Sequence, residues 1–320
     1  MATPAPEFGI HLPVRVLPGS DGKPATARDL VEIVETAAGS GFTHVWVTDH
    51  IIWFNPWMDC LILLGAVAER AAALDMDLAT GVIGLPLRNP VALAQSLATI
   101  DVISEGHLII GVGEGSTESD YTALGIPFSE RRKMLEDGFP ALRNLLTSSH
   151  VSHHGPYYNF DDVSVLPHSA QQPSPPIYLS SWGAPAGIRR VARLADGWIA
   201  SAWHGTPESF TDGLGRLNDE LPKHGKDAGT FPNAVNTMFF HVDSNGSRAH
   251  REIAPRIEAI TREPYAPTAG HYLVGDGGEV REGVARWRDA GARRIGVWAV
   301  ENTLEQIKRF GAEVIAKTPT

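Results

Sequence analysis

Apolar runs alternate with helical patterns along most of this chain of 320 residues. The segment 77–116 shows the repeating unit most clearly: an apolar run broken by glycines, an amphipathic run after Pro90, and a second apolar run, Leu108–Val112, that ends among glycines. Near-continuous apolar runs of this length are typical of parallel strands that helices cover on both faces. The pattern therefore predicts strand–helix–strand units, and α/β folds bind their ligands at the C-terminal ends of such strands.

Eight strand candidates follow one another along the chain, and almost all of them are followed by a helical pattern. They begin at Phe8, His44, Asp77, Leu108, Ile177, Gly197, Ala234 and Arg294. Eight such units in a chain of this length predict one (β/α)8 domain, the TIM barrel, over residues 1–320. Segment 150–176 interrupts the alternation with aromatic residues and prolines, which predicts a β-hairpin-like insertion.

A doubly wound sheet is the competing fold, and the glycine cluster 111–116, GVGEGS, tests it. The cluster is similar to a dinucleotide-binding fingerprint, but Ser116 occupies the position of the third glycine. It also follows the fourth strand candidate, whereas the fingerprint belongs to an initial strand–helix–strand unit. Both observations favour the barrel.

The composition argues against several classes of function. The formal net charge of −10 and the pI near 5.7 come with no basic stripe, so no nucleic-acid partner is expected. The chain shows neither the pattern of a secretory signal peptide nor an apolar run long enough to span a membrane. With a single cysteine, Cys60, these features predict a cytoplasmic protein without a membrane partner. No histidine–carboxylate cluster has metal-ligand spacing, so no metal is expected.

Polar and aromatic side chains follow most of the predicted strands, and in a barrel they converge on one mouth. They include His11, Asp49, His50, Glu114, Ser116, Trp182, Trp203, His204 and Asn236. One histidine at a strand end is more often structural than catalytic, and a tryptophan is usually packing. Their convergence around an apolar mouth indicates a site for a planar aromatic cofactor rather than a bare metal.

Segment 180–187, SSWGAPAG, joins a predicted strand to a predicted helix through small residues. Free amides at a helix N-terminus favour an anion, and Arg189, Arg190 and Arg193 follow within two turns. The segment thus indicates a phosphate site, although an ordinary loop before a solvated basic helix face has the same pattern.

Four segments resemble the bacterial-luciferase-like oxidoreductases, and within them the branch that uses the deazaflavin coenzyme F420. They are Val45–His50 (VWVTDH), Ala79–Gly115, Ala123–Gly138 and Pro175–Ile199. The resemblance implies a (β/α)8 barrel, an oxidoreductase acting on a small organic substrate, F420 or alternatively FMN as its cofactor, and a homodimer.

The resemblance also implies roles for individual residues. His50 faces the cofactor ring and the substrate as a catalytic residue, with Asp49 beside it. The pair Gly81–Val82 matches a bulge that often contains a non-prolyl cis peptide behind the ring. The residues expected to bind the cofactor are Gly81, Val82, Ile83, Gly113, Glu114, Ser116, Trp182, Gly183, Ala184 and Gly187. Those expected in the substrate pocket are His11, Trp53, Trp203, His204 and Asn236. Relatives often carry a bulky aromatic residue near the position of Ser116, which is small here.

Three functions follow from these observations. The first is hydride transfer between the deazaflavin and a small organic substrate, with His50 as general acid or base. The second is a monooxygenase that uses reduced FMN and molecular oxygen. The third is a non-catalytic barrel that binds a flavin or deazaflavin. The same barrel can bind either ring, so the sequence leaves the three open.

Overall fold

The computed structural model describes residues 5–15, 23–268, 270–301 and 303–318. Its strands are Glu7–His11 (β1), His44–Val47 (β2), Asp77–Thr80 (β3), Ile83–Gly84 (β4), Leu108–Gly113 (β5), Val151–His154 (β6), Asn159–Val163 (β7), Ile177–Ser180 (β8), Gly197–Ser201 (β9), Asn233–Val242 (β10), Tyr272–Gly275 (β11) and Arg294–Ala299 (β12). Its α-helices are Ala27–Gly39 (α1), Cys60–Ala72 (α2), Pro90–Ile103 (α3), Glu118–Ala123 (α4), Arg131–Thr147 (α5), Pro185–Leu194 (α6), Pro207–Glu220 (α7), Gly246–Thr261 (α8), Gly277–Asp289 (α9) and Thr303–Glu313 (α10). None of the helices in these ranges has the length and apolar character needed to cross a membrane.

Eight of the strands form a closed parallel barrel in the order β1, β2, β3, β5, β8, β9, β10 and β12. The ring closes where β12 pairs with β1, from Glu7 opposite Arg294 to Ile10 opposite Val297. The predicted (β/α)8 barrel is therefore confirmed, and each of the eight strand candidates is a barrel strand.

Two additions lie outside this ring. Strand β11 runs parallel to the second half of β10, with Phe239–Val242 opposite Tyr272–Gly275. Strands β6 and β7 pair with each other as an antiparallel hairpin between α5 and β8. The hairpin confirms the insertion predicted near 150–176.

The barrel interior is filled by a small core that is separate from the larger apolar layer between the strands and the helices. Its members are Trp46, Ala79, Ile109, Tyr178, Ile199 and Ala234. The indole of Trp46 occupies space that a side chain on β1 would need, since a Cβ atom at Gly9 would lie 2.0 Å from Trp46 Nε1. The rings of Trp46 and Tyr178, together with two isoleucines and two alanines, thus fill the centre of the barrel.

The N-terminal end of the barrel carries a charged cluster. Arg294 donates to Glu7 at 2.8 Å and to the hydroxyl of Tyr178 at 3.0 Å. The Nε2 atom of His44 lies 3.5 Å from carboxylate oxygens of both Glu7 and Asp77. Burial, with a contribution from Arg294, nevertheless lowers the pKa of His44 to about 4. His44 is consequently neutral at pH 7, and residues at this end of a barrel serve stability rather than chemistry.

Candidate active site

The catalytic candidate His50 lies in the loop after β2, at the C-terminal end of the barrel. Its Nδ1 atom is 2.9 Å from Oδ2 of Asp120, an α4 residue whose side chain is only 4% exposed. The other carboxylate oxygen of Asp120 accepts from the backbone N–H groups of Ile51 and Ile52 at 2.9 and 2.7 Å. Asp120 therefore holds both the imidazole and its loop, and Nε2 is the ring nitrogen left for a ligand.

Sequence analysis assigned no role to Asp120. The residue lies 70 positions from His50, on a helix of six residues, and no spacing pattern connects the two. The one sequence feature that points to Asp120 is its position in the polar stretch after the glycine-rich end of β5. Functional residues of barrels are commonly found in such loops.

Asp49, the second catalytic candidate, is bound by a different partner. Its side chain is 1% exposed, and Arg88 donates to both of its oxygens at 2.7 and 3.1 Å. The guanidinium of Arg88 also lies 3.1 Å from Asp59, the residue that caps the N-terminus of α2. Paired donors of this geometry form strong, well-oriented contacts. Asp49 thus fixes the loop that carries His50, whereas the carboxylate bound to the His50 ring belongs to Asp120.

An aromatic cluster, consisting of Trp53, Trp57 and Trp298, lies beside His50. Trp53 stacks on the His50 ring with centroids 4.2 Å apart, and Trp57 meets the same ring edge to face at 4.8 Å. Trp298, which the sequence did not single out, lies 6.3 Å from Trp57 and 4.9 Å from the ring of His11. The predicted pocket residues His11 and Trp53 therefore belong to one continuous apolar wall.

His11 and Asn236 bring buried polar groups into the barrel close to this wall. They are 3% and 2% exposed, and apart from each other these two side chains have no hydrogen-bond partner among the described residues. An extra residue in β10 relative to β12 places Asn236 across Gly296, where a Cβ atom would lie 1.8 Å from the Asn236 oxygen. Burial also lowers the pKa of His11 well below its ordinary value. Buried polar groups without partners are rare in folded proteins, so these two fit a ligand that forms hydrogen bonds.

The third barrel strand is bulged between β3 and β4. Ala79 pairs with Ile109 and Ile83 pairs with Val112, so this strand contains one residue more than β5 over the same distance. The peptide bond between Gly81 and Val82 is cis, as the resemblance implied. Bulges of this kind commonly redirect a strand beside an active site.

A side chain that sequence analysis missed, Thr80, supports the bulge. Its hydroxyl accepts from the N–H of Gly111 at 2.7 Å and donates to the carbonyl of Gly111 at 2.8 Å. These two hydrogen bonds replace the backbone pairing with β5 that the extra residue interrupts. A Cβ atom at Gly111 would lie 2.0 Å from the carbonyl oxygen of Thr80, so the close approach requires glycine.

Gly113 and Glu114 follow at the end of β5. A Cβ atom at Gly113 would lie 2.4 Å from the Ser180 hydroxyl, so the backbone here is closely packed against β8. Glu114 accepts from Arg132 at 3.2 Å and lies 3.7 Å from Arg190. Two further residues were predicted to bind the cofactor. Ile83 is fully buried in β4, and Ser116, in the loop after β5, is exposed.

The predicted anion site lies at the start of α6. Its N-cap residue, Ala184, provides no side-chain cap, so the first-turn amides are not capped by a side chain. A Cβ atom at Gly187 would lie 2.3 Å from the Ser181 hydroxyl, and Gly183 has a left-handed φ of +89°. Backbone donors at such a helix start suit a phosphate group. The arginines that follow are partly engaged, because Arg190 donates to Glu136 at 2.5 Å.

Two further pocket candidates, Trp203 and His204, lie after β9. His204 stacks on Trp182 with centroids 3.9 Å apart and planes 10° apart, although Trp182 is 56% exposed. Trp203 contacts the rings of His271 and Phe239 at 4.3 and 6.1 Å. His204 therefore adjoins the α6 anion site, and Trp203 faces β11.

Among the described residues, no group of three or more His, Cys, Asp or Glu side chains is arranged to hold a metal ion.

The structure thus combines a (β/α)8 barrel with a bulged third strand and a histidine after the second strand. The chain belongs to the luciferase-like monooxygenase family, a family of oxidoreductases, whose family model matches residues 6–294.

Individual relatives are named either as F420-dependent dehydrogenases or as monooxygenases. The chain is 34% identical over 197 residues to an F420-dependent glucose-6-phosphate dehydrogenase of Amycolatopsis mediterranei, a match that spans 58% of this chain and little more than half, 57%, of that protein. An enzyme of the same name from Segniliparus rotundus is 32% identical over 235 residues, which cover 69% of this chain and 67% of the relative. The solved structure of monooxygenase RslO1 from Streptomyces bottropensis has the same fold, with a TM-score of 0.83 at 23% identity over 97% of this chain and 99% of that one.

Proposed function

We propose that this protein is an F420-dependent oxidoreductase that transfers a hydride between the deazaflavin and a small organic substrate. The observation that carries the proposal is the His50–Asp120 pair, held at the mouth of the barrel beside the aromatic cluster. The choice of F420 is supported by two relatives, 34% and 32% identical, that are named F420-dependent dehydrogenases.

The residues at the barrel mouth fit such a cofactor. The bulge at 81–83 and the backbone at Gly113 would hold its ring, and the uncapped start of α6 would hold its phosphate. The buried polar atoms of His11 and Asn236 offer hydrogen bonds within the same barrel. When bound, F420 supplies the carbon that accepts or donates the hydride.

His50 moves the proton that accompanies hydride transfer. Asp120 holds Nδ1, so Nε2 exchanges the proton with the reacting oxygen or nitrogen of the substrate. Asp49 acts through Arg88 by fixing the loop that carries His50. The rings of Trp53 and Trp57 cover the imidazole and restrict the access of water to it.

The His50→Phe variant tests this role because it keeps a ring against Trp53 and removes both nitrogens. We expect F420 affinity, followed by cofactor fluorescence, to stay close to that of the wild type. Turnover should fall roughly 10²–10⁴-fold, the usual contribution of a general acid or base. The matched control is His224→Gln, a change at an exposed histidine in the turn after α7. Unchanged turnover in His50→Phe would show that the assignment is wrong.

The substrate is to be found with a panel that includes glucose 6-phosphate, secondary alcohols, and carbonyl, imine and enoyl compounds. Reduction of F420 by an alcohol, or oxidation of reduced F420 by one of the acceptors, supports the proposal. Tight binding of FMN with oxygen-dependent product formation would instead indicate the monooxygenase. Firm F420 binding without turnover of any compound would indicate a cofactor-binding protein. A homodimer and a cytoplasmic location stay predictions.

A further inference from the structure

Arg15 carries a positive charge into the mouth of the barrel. The residue follows the end of β1 by four positions, and its backbone forms an isolated bridge with Trp57. Its guanidinium carbon lies 4.2 Å from the ring centroid of Trp298 and 5.2 Å from that of Phe239. Burial lowers the pKa of Arg15 to about 9, which leaves the group charged at neutral pH.

This charge has no acidic partner in the described part of the chain. Burial lowers the pKa of the Arg15 guanidinium, and among the described residues no carboxylate is paired with it. Three other partly buried arginines differ, because Arg88 pairs with Asp49, Arg190 with Glu136, and Arg294 with Glu7. The ring faces of Trp298 and Phe239 offset only part of the cost of removing a charge from water. A ligand that carries the missing negative charge would offset more.

The aromatic rings around Arg15 indicate what the uncharged part of such a ligand would contact. Trp298 contacts both the Arg15 guanidinium and the buried ring of His11. The ring centroid of Trp298 also lies 6.3 Å from that of Trp57, which in turn lies 4.8 Å from that of His50. Arg15 and the proposed catalytic imidazole therefore stand at two ends of one aromatic wall.

We infer that Arg15 binds the anionic group, a carboxylate or a phosphate, of a substrate whose apolar body lies on Trp57 and Trp298. The inference rests on the proposed function and assigns its substrate to a chemical class, organic anions with an apolar or aromatic body. Arg15 is then the residue that selects the charged substrate over its neutral analogue, because a neutral group would leave the guanidinium unpaired.

The experiment has two stages, both on the full chain. F420 is first titrated into the wild type, Arg15→Met and Arg251→Met, the last being a control at an exposed arginine of α8. At saturating F420, the binding of phenylacetate, phenyl phosphate and phenylacetamide is then measured by calorimetry. We expect the wild type and Arg251→Met to bind at least one anion about 10- to 100-fold more tightly than the amide, the scale of a hydrogen-bonded charge. Arg15→Met should lose this preference, and Arg15→Lys should keep part of it.

The outcomes separate the two proposals. If F420 does not bind to the wild type, the proposed function fails at the first stage. If F420 binds, this inference is overturned when neither anion binds, when the amide binds as tightly as the anions, or when Arg15→Met keeps the preference. Weaker F420 binding in Arg15→Met with an unchanged anion preference would assign the arginine to the cofactor and overturn the inference as well. The thermal midpoint of Arg15→Met should equal or exceed that of the wild type, because the substitution removes an unpaired charge, and a matching midpoint excludes misfolding as the cause.

Discussion

Asp120 determines how the imidazole of His50 is presented to a ligand. One carboxylate oxygen binds the ring, and the other binds the two backbone N–H groups that follow His50 in the chain. A single side chain thus fixes the position of the ring and the path of the loop that carries it. Because the carboxylate accepts a hydrogen bond from Nδ1, the proton lies on that nitrogen and Nε2 faces the pocket unprotonated when the ring is neutral.

The Asp120→Asn substitution separates these two tasks. Its amide oxygen can still accept from Ile51 and Ile52, but its NH2 group can only donate to Nδ1, which reverses the tautomer of His50. We expect kcat to fall roughly 10- to 100-fold, the scale seen when a partner that orients a functional histidine is removed. The thermal midpoint and the affinity for F420 should change little. The control is Glu118→Gln on the exposed side of the same helix. An unchanged kcat would contradict this view of Asp120.

Single residues were predictable from the sequence only where their position in a strand sufficed. His50 could be named because it directly follows an apolar run, and the ends of such runs meet at the barrel mouth. Its partner could not be named, because a contact across 70 positions depends on how two loops fold over the barrel. The same holds for Arg88, which reaches Asp49 across 39 positions. Sequence patterns thus placed candidate residues at the barrel mouth but did not give the pairs of side chains that they form there.

The strands were predictable to within one residue at their starts. Barrel strands are buried on both faces, so each appears as an uninterrupted apolar run between polar loops. The predicted start at His44 is the observed one, and β1 begins at Glu7 where Phe8 was predicted. Strand β11, Tyr272–Gly275, was not among the eight candidates and lies outside the ring. The bulge was implied by the resemblance, whereas the hydroxyl of Thr80 that supports it carried no signal of its own.

The Gly111→Ala substitution tests the bulged third strand. A methyl group at this position would lie 2.0 Å from the backbone carbonyl oxygen of Thr80, so β3 and β5 must separate. We expect the free energy of unfolding to fall by about 2–3 kcal/mol, the range for an overpacked buried position. Urea denaturation of the purified variant measures this change.

The matched control is Gly39→Ala at the last residue of α1. A Cβ atom there would have no neighbour within 4 Å. Because alanine is favoured over glycine in a helix, this variant should be as stable as the wild type or up to about 1 kcal/mol more stable. Equal stabilities of the two variants would show that β3 and β5 are not so tightly joined.

Buried neutral histidines make the stability of the whole molecule depend on pH. Burial lowers the pKa of His44 to about 4 and that of His271 to about 4, and it lowers the pKa of His11 well below its ordinary value. In the unfolded chain these groups titrate near the ordinary value of 6.5. Above that pH both states are neutral. Between about pH 6.5 and 4 only the unfolded chain takes up protons, so stability falls with falling pH and levels off below.

The contribution of His44 can be isolated with His44→Gln. For a pKa lowered from 6.5 to about 4, linkage gives roughly 2 kcal/mol of stability lost between pH 7 and pH 5. The variant should lack that part of the loss, as measured by urea denaturation at the two pH values. Substitution of the exposed His224 by Gln should leave the difference unchanged. If wild type and His44→Gln lose equal stability, the attraction of Glu7 and Asp77 for the imidazolium offsets the cost of its burial.

The pairing of β12 with β1 also has a consequence for how the chain is made. Strand β1 is synthesised first among the barrel strands and β12 last, yet they are neighbours in the ring. Until β12 leaves the ribosome, β1 and β10 each expose a row of unpaired backbone groups, which can pair with another nascent chain. Seven strands without β12 would thus form an open sheet with two unpaired edges. The final strand protects the protein from aggregation as well as closing its core.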